Sequence, residues 1–172
     1  MIKKLLKLFI NSNQWNIIVR LIRYRNFFKF PYVRIDLWVE IWDKKNKIIW
    51  KWSWIRKWVI IQDWPIKIWT NTNIWPYSTM FPVKWISIWN NVLIGPHVGI
   101  YTWTHITKNK KHKEKTKKWI IIEDHVWIWS HVVILDGIKI WEWTIIWAWT
   151  IVTKDTEKFS IIVWNPWKIL YK

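Results

Sequence analysis

The chain has 172 residues, 28 basic and 11 acidic, for a formal charge of +17, and no cysteine. That length allows one domain with a real core, and the lack of cysteine excludes a disulfide framework and a thiolate metal site while fitting a cytoplasmic protein. The charge is lopsided: residues 1–34 hold eight basic residues and no acid, and residues 106–119 hold seven lysines against Glu114 alone. The rest is close to neutral, which argues against a nucleic-acid binder with a basic stripe built into its fold.

Residues 1–34 come first. Ile2, Leu5, Leu6 and Phe9 share one face at helical spacing, with Lys3, Lys4 and Lys7 elsewhere. No uninterrupted apolar run reaches the roughly 18 residues of a membrane span. Lys7 breaks the apolar stretch and no small-residue cleavage site follows, so a signal peptide is rejected. Two readings remain open for this partly helical segment: a cap over the open end of a β-domain, or a helix lying on an anionic membrane surface. The cap is the plainer of the two.

A period of six begins after this segment. It is weak at Ile35 and Ile41, clearer at Ile68, Ile74 and Met80 and at Ile88, Ile94 and Ile100, and strict at Ile122, Ile128, Ile134, Ile140, Ile146 and Val152. Two residues before the later members stand Val126, Val132, Ile138, Thr144 and Thr150, all β-branched. Six is a multiple of the strand period and not of the helical one, so these residues share a strand face. A six-residue unit is too short for a hairpin or a crossover helix. A coil of short parallel strands, each turning a corner and stacking on the coil below, is the remaining solution. Between Ile100 and Ile122 the period is interrupted by the lysine-rich loop at 106–119, which reads as four residues more than an 18-residue coil.

Tryptophan is the second anomaly, 22 residues beside only three glycines, Gly95, Gly99 and Gly137. The position after each hexad aliphatic is Trp42, Trp69, Trp75, Trp89, Gly95, Trp129, Trp141 or Trp147; three after it stand Trp103, Gly137, Trp143 and Trp149. The largest and smallest side chains thus share equivalent places. A coil corner favours glycine, which tolerates φ > 0 and lets backbones approach closely. Most of these tryptophans are therefore read as UGA codons that the source organism translates as glycine, with Trp127 a genuine tryptophan.

With that substitution in mind, three segments carry a family resemblance. Val126-Trp127-Ile128-Trp129-Ser130-His131-Val132-Val133-Ile134 resembles "VWIGSHVVI", Ile146 to Asp155 resembles "IGAGSIVTKD", and Val163 to Lys168 resembles the closing "GNPAK". In this order and spacing they resemble the hexapeptide-repeat acyltransferases over about residues 35–170, closest to the galactoside, maltose and polysaccharide O-acetyltransferases. The resemblance implies an all-β fold, a left-handed parallel β-helix at 35–164, behind the short helical segment at 1–34 and ahead of a tail at 165–172. It also implies a homotrimer with sites at subunit boundaries and acetyl-CoA as acyl donor.

Ile100-Tyr101-Thr102-Trp103-Thr104-His105 resembles the family's "YTATHP", with Ile106 in place of proline, and makes His105 the general base. A sugar hydroxyl is a poor nucleophile until a neutral imidazole takes its proton. By the same resemblance Ser130, Ala148, Thr153, Lys154 and Lys168 line the CoA groove, and Trp127 packs beside the active site. Lysines suit CoA phosphates as point charges. The lysine-rich loop has two readings of equal weight, one attracting CoA or an anionic acceptor and one merely solvated.

Rival functions are weaker. His97, His125 and His131 fall on hexad corners as surface residues and His112 lies within the lysine run, so no three histidines suggest a zinc site of the γ-carbonic anhydrase kind. Serine acetyltransferases usually carry a larger helical N-terminal domain than the segment at 1–34 allows. A non-catalytic basic scaffold rests only on the charge. The expectation is acetyl transfer from acetyl-CoA to a hydroxyl of a sugar or polysaccharide precursor, without a metal. The alternative acceptor is an amino sugar or an antibiotic. The protein is expected in the cytoplasm, with membrane contact through 1–34 and no nucleic-acid partner.

Overall fold

A computed structural model describes residues 33–36, 38–41, 47–62, 65–102, 105–108, 111–114, 119–166 and 168–171. Residues 1–32, and with them the expected helical segment, lie outside the described residues. Every described regular element is a β-strand, two to four residues long. The strands form a parallel solenoid with three faces.

The first face stacks Arg34–Ile35, Trp54–Ile55, Asn73–Ile74, Leu93–Ile94, Trp127–Ile128, Ile145–Ile146 and Ile161–Val163. The second stacks Glu40–Ile41, Ile60–Ile61, Thr79–Phe81, Gly99–Tyr101, Val133–Ile134 and Ile151–Val152. The third stacks Lys47–Ile49, Ile66–Ile68, Ile86–Ile88, Ile120–Ile122 and Lys139–Ile140, so five coils carry all three faces. Within the segment expected as a tail, Lys168–Tyr171 turns back and pairs antiparallel with Ile161–Val163, covering that edge of the first face.

The hexad aliphatics are the core. Ile88, Ile122 and Ile140 pair in register on the third face, Ile94, Ile128 and Ile146 on the first, and Ile100, Ile134 and Val152 on the second. All nine are fully buried. Each such side chain contributes about 1.5–3 kcal/mol by leaving water. Val126, Val132, Ile138, Thr144 and Thr150 are buried as well, so each hexad sends two residues inward. Three inward hydroxyls in the earlier coils close a corner: Ser53 Oγ donates to the Trp69 carbonyl at 2.8 Å, Thr72 Oγ1 to that of Trp89 at 2.8 Å and Ser78 Oγ to that of Gly95 at 2.9 Å. A buried hydroxyl without such an acceptor would be destabilising.

The register corrects the size of the insertion. Ile88 pairs with Ile122, and Ile122 in turn with Ile140. The first step along the chain is nearly twice the second, so the insertion approaches a whole extra circuit in length and is far longer than the four residues expected. Ile100 lies on the second face and Ile122 on the third, so they are neighbouring hexads of one coil and not equivalent residues of successive coils. The circuit length is also less uniform than a fixed rule: the step from Ile74 to Ile94 exceeds that from Ile55 to Ile74, and both exceed that from Ile122 to Ile140.

Candidate active site

The insertion leaves the solenoid at the corner between the second and third faces, and local packing fixes its departure. A Cβ at Gly99 would stand 2.6 Å from the Tyr101 ring, which folds back over it, so any side chain there would displace that ring. The Tyr101 hydroxyl lies 3.0 Å from Thr79 Oγ1, and its ring packs against Phe81 with centroids 5.5 Å apart. Thr102 is buried, and its Oγ1 accepts the backbone N–H groups of Val83 at 2.6 Å and Lys84 at 2.8 Å. The Tyr-Thr of the expected catalytic motif is thus an anchor that pins the chain before it projects.

Beyond the anchor, His105–Lys108 and Lys111–Glu114 form an antiparallel hairpin. The register pairs His105 with Glu114, Ile106 with Lys113, Thr107 with His112 and Lys108 with Lys111. The backbone of His105 opens the first hairpin strand; its imidazole lies outside the described residues.

The other expected residues fall in three places. Ser130 and Ala148 are half-buried at the corner between the first and second faces, one coil apart, with Pro76 and Pro96 in the same column. Backbone bonds tie that column: His131 N–H donates to the Pro96 carbonyl at 3.1 Å and Trp149 N–H to the Ser130 carbonyl at 3.2 Å. Thr153 and Lys154 are exposed at the corner between the second and third faces. The pairing of Ile100, Ile134 and Val152 makes them the equivalents of Tyr101 and Thr102, so Lys154 stands on the corner from which the hairpin departs. Lys168 is exposed on the antiparallel strand and Trp127 on the first face, its ring stacked on that of Trp129 at 4.7 Å.

Two features escape a reading of the sequence. His97 and His131, expected as separate corner residues, stack their rings at 4.7 Å, in a column that continues to Tyr77 on one side and Trp149 on the other. They stand on successive coils with the insertion between them in the chain, so only its true length would have paired them. His112, expected as one more solvated residue of the lysine run, lies on the same hairpin face as His105 by strand alternation. Among the described residues no group of three or more His, Asp or Glu is placed to hold a metal ion.

Hexads wound into a three-faced parallel solenoid, with a hairpin thrown out from one corner, define the class: a hexapeptide-repeat β-solenoid. Among solved structures the chain is similar to the hexapeptide-repeat-containing acetyltransferase VCA0836 of Vibrio cholerae complexed with acetyl coenzyme A, at 26% identity over 77% of this chain and 69% of that one, with a TM-score of 0.66. It is similar to the polySia-specific acetyltransferase NeuO at 26% identity, over 80% of this chain and 67% of that one, with a TM-score of 0.68. An aspartate-to-alanine mutant of the N-acyltransferase AntD from Bacillus cereus, in complex with dTDP and coenzyme A, shares the fold with a TM-score of 0.75 over 87% of each chain, at 17% identity. No family model and no curated protein matches the sequence. The solenoid and its structural neighbours match the hexapeptide-repeat acyltransferases that the three motif segments resemble.

Proposed function

We propose that the protein moves an acetyl group from acetyl-CoA to a hydroxyl of a sugar or polysaccharide precursor, with His105 as general base. The observation that carries this reading is the likeness, over most of the chain, to an acetyltransferase complexed with acetyl-CoA, on a solenoid that projects the His105 hairpin from the corner bearing Lys154. Likeness to a polySia-specific acetyltransferase supports a saccharide acceptor.

The chemistry follows from the groups available. The imidazole of His105 takes the proton of the acceptor hydroxyl as that oxygen attacks the thioester carbonyl. The tetrahedral intermediate collapses with loss of the CoA thiolate, and the imidazolium returns the proton to sulfur. The products are an acetyl ester and CoA, with the base restored.

Lys154 and Lys168 would hold the CoA phosphates, Ser130, Ala148 and Thr153 would line the pantetheine path, and Trp127 would flank the acceptor. One chain sets Ser130 and Ala148 at one corner and Thr153 and Lys154 at another, separated by the second face, with Trp127 and Lys168 on the first face. A homotrimer would complete the site by setting the Ser130–Ala148 corner of one copy against the hairpin corner of the next. Acetyl-CoA as donor supports a reaction in the cytoplasm, and the basic segment at 1–34 supports contact with the inner face of the membrane.

The test is acetyl-CoA against a panel of sugars and amino sugars, with wild type and His105→Ala. A product cleaved by alkaline hydroxylamine is an ester; a resistant product is an amide and would shift the acceptor to an amine. His105→Ala is expected to lower kcat by about 10²–10⁴-fold, the usual contribution of a general base, with the fold kept by circular dichroism. Full activity in that variant would remove His105 from the mechanism.

A further inference from the structure

We infer that Glu114 is the positioning residue for His105, a step that rests on reading His105 as the general base. Glu114 stands directly opposite His105 in the hairpin register. The innermost pair, Lys108 and Lys111, leaves two residues between the strands. In such a hairpin the innermost pair exchanges backbone hydrogen bonds and the pairs then alternate, which makes His105–Glu114 a non-hydrogen-bonded pair. Residues opposed in that way have Cβ atoms about 4.5–5.5 Å apart, nearer than in the other kind of pair.

Alternation divides the ribbon chemically. His105, Thr107, His112 and Glu114 share one face, and Ile106, Lys108, Lys111 and Lys113 the other. Glu114 is also the only acidic residue anywhere in residues 64–122, within a segment otherwise lysine-rich. A merely solvated charge had many places to stand; this one is in register with the expected base. Besides Glu114, the titratable residue of the opposing strand on the histidine's face is His112, set diagonally, while Lys111 and Lys113 lie on the other face.

A carboxylate in register with a histidine on the same ribbon face is the residue type that orients a general base. Such a carboxylate selects the tautomer whose Nε2 lone pair is free to take the acceptor proton, and it stabilises the imidazolium that forms. Its charge raises the imidazole pKa.

Four variants test this in the full-length protein: Glu114→Gln, Glu114→Asp, His112→Gln and Lys113→Gln. Glu114→Gln is expected to lower kcat by about 10–100-fold, the usual effect of losing an orienting partner, with KM for acetyl-CoA unchanged. The acidic limb of its kcat/KM profile moves to lower pH, because the base loses the charge that raised its pKa. Glu114→Asp recovers most of the rate, and His112→Gln and Lys113→Gln leave the limb in place. Histidine-labelled NMR, with the His105 signal assigned from its absence in His105→Ala, gives the same downward shift without turnover.

If His105→Ala is inactive while Glu114→Gln keeps both the wild-type limb and the wild-type titration, the inference is overturned and the base assignment stands. A loss of rate in Glu114→Gln with no shift of either kind marks a merely structural role and overturns it equally. A limb that moves in His112→Gln instead overturns it in favour of that histidine. An active His105→Ala removes the underlying reading, and this inference with it.

Discussion

Trp38, Trp52, Trp58, Trp143, Trp149 and Trp164 all have φ between 59° and 72°, the left-handed region. For a bulky side chain this backbone costs about 1–2 kcal/mol. All but Trp164 stand three residues after a hexad aliphatic, where the chain elsewhere uses Gly137, Asn71, Asn91, His97, His125, His131 and, as one further bulky aromatic, Tyr77 at the same sign of φ. Asparagine and histidine are among the side chains that tolerate this conformation, and glycine has none to strain. The column immediately after the aliphatic has a different reason. At Gly95 an added Cβ would stand 2.8 Å from Ser130 N, a backbone contact that cannot be relieved by a rotamer change. Trp129 and Trp147 are later members of that column, with rings stacked at 5.2 Å and the buried Trp129 Nε1 without a hydrogen-bond partner among the described residues. The two properties of glycine, positive φ and close approach, are thus required at separate positions, and tryptophan occupies both. Protein from its native host is expected to have an intact mass below that of a chain with 22 tryptophans, each replacement exchanging an indolylmethyl group for hydrogen. A mass accounting for all of them would end the glycine reading.

The element that stabilises the molecule is the column of stacked aliphatics, and each coil touches mainly the coils above and below it. Ile128 is fully buried between Ile94 and Ile146. Ile128→Ala is expected to cost about 2–5 kcal/mol, through lost transfer energy and a cavity that rigid neighbours cannot close. Urea denaturation checks this, and an unchanged midpoint would contradict the column as the core. This element was legible in the sequence, because a six-residue period of isoleucine has one compact solution. The hairpin was not. Its residues break the period, and a lysine run has no apolar face from which to read strands. The register of His105 with Glu114 emerges only once the chain is folded back on itself.

At the scale of the whole molecule the candidate site is a matter of corners. His105 and Lys154 belong to one corner, Ser130 and Ala148 to another, and Lys168 to the strand that closes the first face. If the lysines hold CoA phosphates as exposed charges, Lys154→Ala and Lys168→Ala each raise KM for acetyl-CoA by up to about fivefold, an effect near 1 kcal/mol. They leave kcat intact, and added salt narrows the difference from wild type. Steady-state kinetics at two ionic strengths check this; unchanged KM in both variants would place the donor elsewhere.

The order of residues alone determined the solenoid, its buried aliphatics and the corner positions that tryptophan and glycine share, because a strand face repeats every two residues and a hexad returns the same side chain to the same environment. The resemblance of three segments supplied the handedness and the expected chemistry, which periodicity does not contain. Only the tertiary structure decided which hexads stack. Parallel strands are paired by circuit length, so an insertion of nearly a circuit within one coil joins Ile88 to Ile122 and His97 to His131, partners that no fixed sequence spacing would have matched.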